Sequence, residues 1–297
     1  MKQKAWIQTL AVLAVASSIT STAYADTTNP DRAQDLTLTV SGTMKEKLDE
    51  KHALAKLHEN VRVGKSTQAE EDQAFEKFVA KWGGIGLTAS EKNKALKREN
   101  GITFNPQALY GSHYVPVSQL SQPNNYYCGP ASATEIIRQI GVNPSLAMSD
   151  AANYLGTNTD GTVWSKRAIT GSYYYPMADT LDYYSNSANN YAAEASPSAA
   201  TFKSDVTYTI DKGYPVSADV VENANGTHLV GHPTNLTIYH WIAIDGYSAS
   251  GDNTQYADSA SGGQGFSTAW NTASIPTKST LNSSTIAGMT SGRGIIW

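Results

Sequence analysis

The chain holds a single cysteine, Cys128, and its neighbours could make that thiol a nucleophile. It stands in Gln122-Pro123-Asn124-Asn125-Tyr126-Tyr127-Cys128-Gly129-Pro130, and Pro130 suits a first helical turn, where a missing N–H costs nothing. Ala133, Ile136, Ile137 and Ile140 share one face of a helix predicted over 130–140, which Gly141 should end. A thiol just ahead of a helix start meets roughly half a positive charge, which favours the thiolate, the form that attacks a carbonyl carbon. The Gln122 amide could donate to the oxyanion formed by that attack, with the Cys128 backbone N–H as the other donor. Taken alone, Cys128 also fits a small buried apolar residue, and Gln122 an ordinary loop glutamine.

Nucleophilic chemistry of this kind needs a base, and the chain has six histidines. His52 and His58 fall in a charged, helical stretch and are expected to be solvated. His113 lies in a loop without an apolar frame. His228 and His232 have the i, i+4 spacing of paired zinc ligands, but Gly231 and Pro233 oppose a helix and no Glu follows His228, so a loop that could line a cleft is expected. His240 sits in Ile238-Tyr239-His240-Trp241-Ile242-Ala243-Ile244, where strand alternation places it with Ile238, Ile242 and Ile244. That position suits a core histidine as well as a base.

Gln-x5-Cys-Gly-Pro, followed by His-Trp and a later Asp, resembles the C39-like peptidases, papain-like cysteine peptidases, over about residues 112–297. The resemblance implies Cys128 as nucleophile, His240 as general base, Gln122 as oxyanion donor and a peptide or protein substrate. It also implies a papain-like α+β fold, with the nucleophile helix packed on an antiparallel sheet. No metal or organic cofactor is required. Asp258 ends a second predicted strand that runs into Gly262-Gly263, and a connection over 246–254 would bring it beside His240 to orient the imidazole. Asp245 falls on the opposite strand face. The family's Asp is commonly followed by Pro, whereas Ser259 follows here.

Elements of two characters must position these groups. Residues 26–110 carry 13 basic and 13 acidic side chains, whereas residues 111–297 carry 7 and 13. The first stretch reads as about three short helices, with Thr-x-x-Glu capping boxes at Thr43, Thr67 and Thr88. Its middle helix aligns Phe75, Phe78, Val79 and Trp82 and stops at Gly83-Gly84, so it should dock on an apolar surface as a prosegment or an accessory subdomain. From residue 111 a peptidase domain is predicted, with strands at 215–221 and 238–244 and weaker helices at 147–154 and 178–184. Its many aromatic residues should mostly pack the core, with a few lining a groove.

At the start, Lys2 and Lys4 precede an apolar run over 5–16 and then Ala23-Tyr24-Ala25, the pattern of a signal peptide covering residues 1–25. Export, and hence a secreted bacterial hydrolase, is the expectation. The net charge is −4, and no basic surface for nucleic acid shows. No membrane span is expected, and a monomer is. Two other readings fit the same residues: a cell-wall endopeptidase or amidase acting on peptidoglycan peptides, and a non-catalytic binding protein of the same shape.

Overall fold

The computed structural model describes residues 40–83 and 111–297. The expected signal peptide and the Thr88 capping box lie outside the described residues. The helices are α1 (Gly42–Arg62), α2 (Gln68–Trp82), α3 (Cys128–Ile140), α4 (Met148–Leu155), α5 (Pro176–Ser185), α6 (Ala199–Asp211) and α7 (Ser283–Met289). The strands are β1 (His113–Tyr114), β2 (Lys166–Arg167), β3 (Tyr173–Tyr174), β4 (Ala193–Ala195), β5 (Val216–Glu222), β6 (Ile238–Ser248), β7 (Asn253–Ala257), β8 (Lys278–Asn282) and β9 (Gly294–Ile296). The chain is therefore a mixture of helices and antiparallel sheet, an α+β architecture.

The main sheet runs in the order β4-β9-β5-β6-β7-β8, with β1 paired to the far end of β6 and every pairing antiparallel. β6 is its long central member. Residues 240–247 are all buried, because α3 and α6 both pack against this strand. The expected face of α3 holds: Ala133, Ile136, Ile137 and Ile140 are all within the core. Gly141 closes the helix with φ +78°, a conformation that costs a glycine nothing. The stretch 199–211 forms a helix that β-branched residues such as Val206, Thr207 and Thr209 conceal in the sequence. Ser198 caps it, and Phe202, Val206 and Ile210 recur along one buried side.

Thr67 forms the expected capping box with Glu70. Thr43 does not cap: α1 starts at Gly42 behind Ser41 and runs for 21 residues, longer than expected. Phe78 is buried, and Phe75, Val79 and Trp82 pack partly against the core. The solvated histidines expected on α1 are a correction. His58 is 2% exposed and bridges Glu71 on α2 and Asp211 on α6, each at 2.9 Å. Three charged groups from separate helices satisfy one another there, which no pattern along α1 could announce.

Candidate active site

α3 begins at Cys128 itself, so the thiol occupies the first helical turn rather than the residue ahead of it. The N-cap Tyr127 makes no side-chain cap, which leaves first-turn N–H groups without that partner. Gly129 allows a close approach: a Cβ at this position would come 2.2 Å from Thr162 Oγ1. Helix start and β6 together border a cleft open to solvent, into which Cys128 and His240 both look.

β6 and β7 form the hairpin that brings Asp258 to His240. Ala243 pairs with Ala257, and the next residue along β7 lands level with the centre of β6. His240 Nε2 lies 2.9 Å from Asp258 Oδ1, and the Cys128 side chain acts on the same imidazole. With Nε2 engaged, Nδ1 is the nitrogen left for the sulfur. Burial by itself would lower the His240 pKa, but the Asp258 charge, its hydrogen bond and Cys128 raise it well above its ordinary value. Asp245 points elsewhere, accepting from Val117 N and Gln255 Nε2.

Asp258 has a second partner. Its Oδ2 is 2.9 Å from His232 Nε2, and His232 Nδ1 is 2.8 Å from Glu222 Oε1. Each ring nitrogen of His232 faces a carboxylate oxygen, so both must donate and the ring is a cation. Burial opposes that charge, yet the charges and hydrogen bonds of Asp258 and Glu222 carry its pKa up to about 9. Asp258 responds in kind: burial would raise it, but His232 and His240 hold it well below the ordinary carboxylate range. Cys128, His240, Asp258, His232 and Glu222 thus form one continuous chain of polar contacts.

Gln122 is 1% exposed and does not itself line the cleft. Its Nε2 donates to Asn124 O at 2.7 Å, and its Oε1 accepts from the Ser259 hydroxyl at 2.9 Å. Asn124 O can only accept, so the amide's orientation is fixed and one of its two N–H groups is uncommitted to this network. The backbone adds a tie, Gln122 N donating to Ser259 O at 2.9 Å.

Residues 112–275 match the Peptidase C39 like family. The chain belongs to that family. No curated protein and no solved structure matches it.

In this C39-like chain His232 and Glu222 were not singled out by sequence for the part they take. The loop expected around His228 and His232 is present, and His228 faces the backbone oxygens of Gly226 and Leu236. Glu222, His232 and Asp258 come from three separate segments, so no local spacing joins them. His232, His240 and Asp258 offer three ligand atoms close enough for a cation. A metal would have to replace the two 2.9 Å hydrogen bonds that orient Asp258.

Of the aromatic residues the C39-like domain carries around its site, Tyr126 and Tyr239 line the cleft, joined by Phe266 and Trp270. Trp164 and Trp241 stack on each other inside the core. Glu135, on α3, is buried with Oε1 accepting from Leu120 N at 2.7 Å. Burial first, then the charges of Asp258 and Asp245, raise its pKa to about 8, so it is a neutral acid at pH 7.

Proposed function

We propose that this C39-like chain is a cysteine peptidase in which Cys128 attacks the peptide carbonyl and His240 holds, then delivers, the proton that the leaving amine needs. Asp258 fixes the ring so that Nδ1 faces the thiol, and stabilises the imidazolium. The oxyanion forms against the Cys128 N–H and the uncommitted Gln122 N–H. Water then releases the acyl group. One observation carries the reading: His240, held through Nε2 by Asp258, also interacts with the Cys128 side chain at the edge of an open cleft.

The family resemblance adds a papain-like arrangement of α3 on the sheet. Lys2, Lys4, the apolar run over 5–16 and Ala23-Tyr24-Ala25 support export, with a peptide substrate met outside the cytoplasm. Residues 40–83 supply no wall of the cleft and are tied to the domain by buried charged groups, which supports a retained accessory subdomain rather than a plug.

Hydrolysis of a quenched fluorescent peptide library, together with iodoacetamide alkylation at pH 6.5, tests the proposal. The native chain should cleave and be alkylated at Cys128. Cys128→Ala should lose all cleavage, and His240→Ala should alkylate at least about 10-fold more slowly. Equal alkylation rates in the native chain and His240→Ala, without cleavage of any peptide, would sink it in favour of a binding role.

A further inference from the structure

α1 meets the rest of the chain at a second cluster of ionisable groups, none of which borders the cleft. His52 from α1, Glu194 from β4 and Asp205 from α6 each contribute a ligand atom, and these atoms all lie within 4.8 Å of one another. His52 Nε2 stands 3.4 Å from Glu194 Oε2 and 3.6 Å from Asp205 Oδ2. Asp205 is 0% exposed. Among the described residues, neither of its oxygens, nor Glu194 Oε2, nor His52 Nε2 has a hydrogen-bond partner. Buried polar atoms are rarely left so, and a buried carboxylate requires a donor or a cation. Lys51, the buried ammonium beside the cluster, is committed to the backbone oxygens of Asn189, Asn190 and Trp297.

The separations are longer than those of the direct histidine–carboxylate hydrogen bonds elsewhere in the chain. Where a histidine in this chain hydrogen-bonds a carboxylate directly, as His58 and His232 do, nitrogen and oxygen stand 2.8 to 2.9 Å apart. Two ligands of one tetrahedral zinc, each about 2.0 to 2.2 Å from it, stand about 3.3 to 3.5 Å apart. His52 belongs with the second group. We propose that His52, Glu194 and Asp205 bind one divalent transition-metal cation, for which Zn²⁺ is the fitting probe, and that this cation clamps α1 to the peptidase domain. An imidazole nitrogen with two carboxylates suits zinc or its neighbours, whereas Ca²⁺ and Mg²⁺ select all-oxygen sets. His52 Nε2 is itself shielded from solvent, and the second unpartnered oxygen of Asp205 can serve as the fourth ligand. Its ring leans on Trp297 at 5.3 Å, which holds it in place.

The test uses the full chain carboxamidomethylated at Cys128, stripped with EDTA, equilibrated with Zn²⁺ and freed of excess by gel filtration. Retained zinc and the melting temperature are the readouts. About one zinc per chain should remain, and saturating zinc should raise the melting temperature by about 5 to 10 °C. Asp205→Asn and His52→Gln should each abolish both effects. His232→Gln, which breaks the other histidine–carboxylate cluster, should keep both. His52→Gln, at a partly exposed helical position, is decisive even where Asp205→Asn does not fold. A native chain that retains no zinc, zinc that persists in His52→Gln, or zinc lost only in His232→Gln overturns the site.

Discussion

At Ser259 a hydroxyl stands where the family resemblance leads one to expect proline, and that hydroxyl holds the Gln122 amide. If Gln122 donates to the oxyanion, Gln122→Ala should lower kcat by about 100-fold. Ser259→Ala should lower it less in the native background and hardly at all in Gln122→Ala, since the hydroxyl acts only through the amide. Steady-state kinetics of the double-mutant cycle measure this, and additive losses would argue against the assignment. His232 invites a second test at the same scale. Its positive charge shares Asp258 with His240 and so restrains the rise of the His240 pKa. His232→Gln removes the charge and should move the alkaline limb of kcat/KM to higher pH, whereas Asp258→Asn should move it to lower pH. A common direction for both would mean that His232 serves structure alone.

The elements that carry these residues are fastened by buried charge as well as by apolar packing. α1 docks through Leu48, Leu54 and Ala55 and through His58, whose two carboxylate partners come from α2 and α6. Tyr247 on β6 and His113 on β1 also bond Asp211, at 2.6 and 2.8 Å, so one carboxylate gathers several elements. His58→Ala should destabilise the fold by about 1 to 3 kcal/mol, because each carboxylate loses one buried donor while Asp211 keeps Tyr247 and His113 and Glu71 keeps Lys212. Urea unfolding should show the midpoint fall at unchanged slope. Burial pulls the His58 pKa down, but Asp211 and Glu71 raise it above 6.5, so its contribution is complete below pH 6.5 and fades as the pH climbs past that value.

For the whole molecule, two further buried groups contribute to the fall of stability above neutrality. His232 releases its proton near pH 9 when folded and near 6.5 when unfolded, so stability that is full below pH 6.5 is lost as the pH approaches 9. Glu135 keeps its proton to about pH 8 in the fold but would ionise near 4.5 in the unfolded chain. Between those values the unfolded chain carries fewer protons, so stability falls as the pH rises. The melting temperature should therefore decline from pH 6.5 to 9. Glu135→Gln, which can still accept from Leu120 N, should match the native chain at pH 4.5 and melt higher than it at pH 8. Calorimetry across that range checks both, and an unchanged difference between pH 4.5 and 8 would exclude an ionising Glu135. Among the described residues no helix is long and apolar enough to cross a membrane.

Local pattern was enough for several elements. Pro130 and the Ala133, Ile136, Ile137, Ile140 stripe specify α3, the apolar alternation around His240 specifies β6, and Thr67 with Glu70 specifies the start of α2, because each depends on neighbours within a turn or a pleat. α6 was hidden, since Val206, Thr207 and Thr209 favour a strand locally and only burial of Phe202, Val206 and Ile210 against the sheet makes the helix the better solution. Around the cleft, the sequence by itself determined which thiol is available and which residue types stand near it. Tertiary structure alone decided that Asp258 serves two imidazoles, that Glu222 backs His232, that Ser259 orients Gln122, and that His52 meets Glu194 and Asp205. Charged groups far apart in the chain are driven together because each would be costly to bury alone, and that cost leaves no period along the sequence.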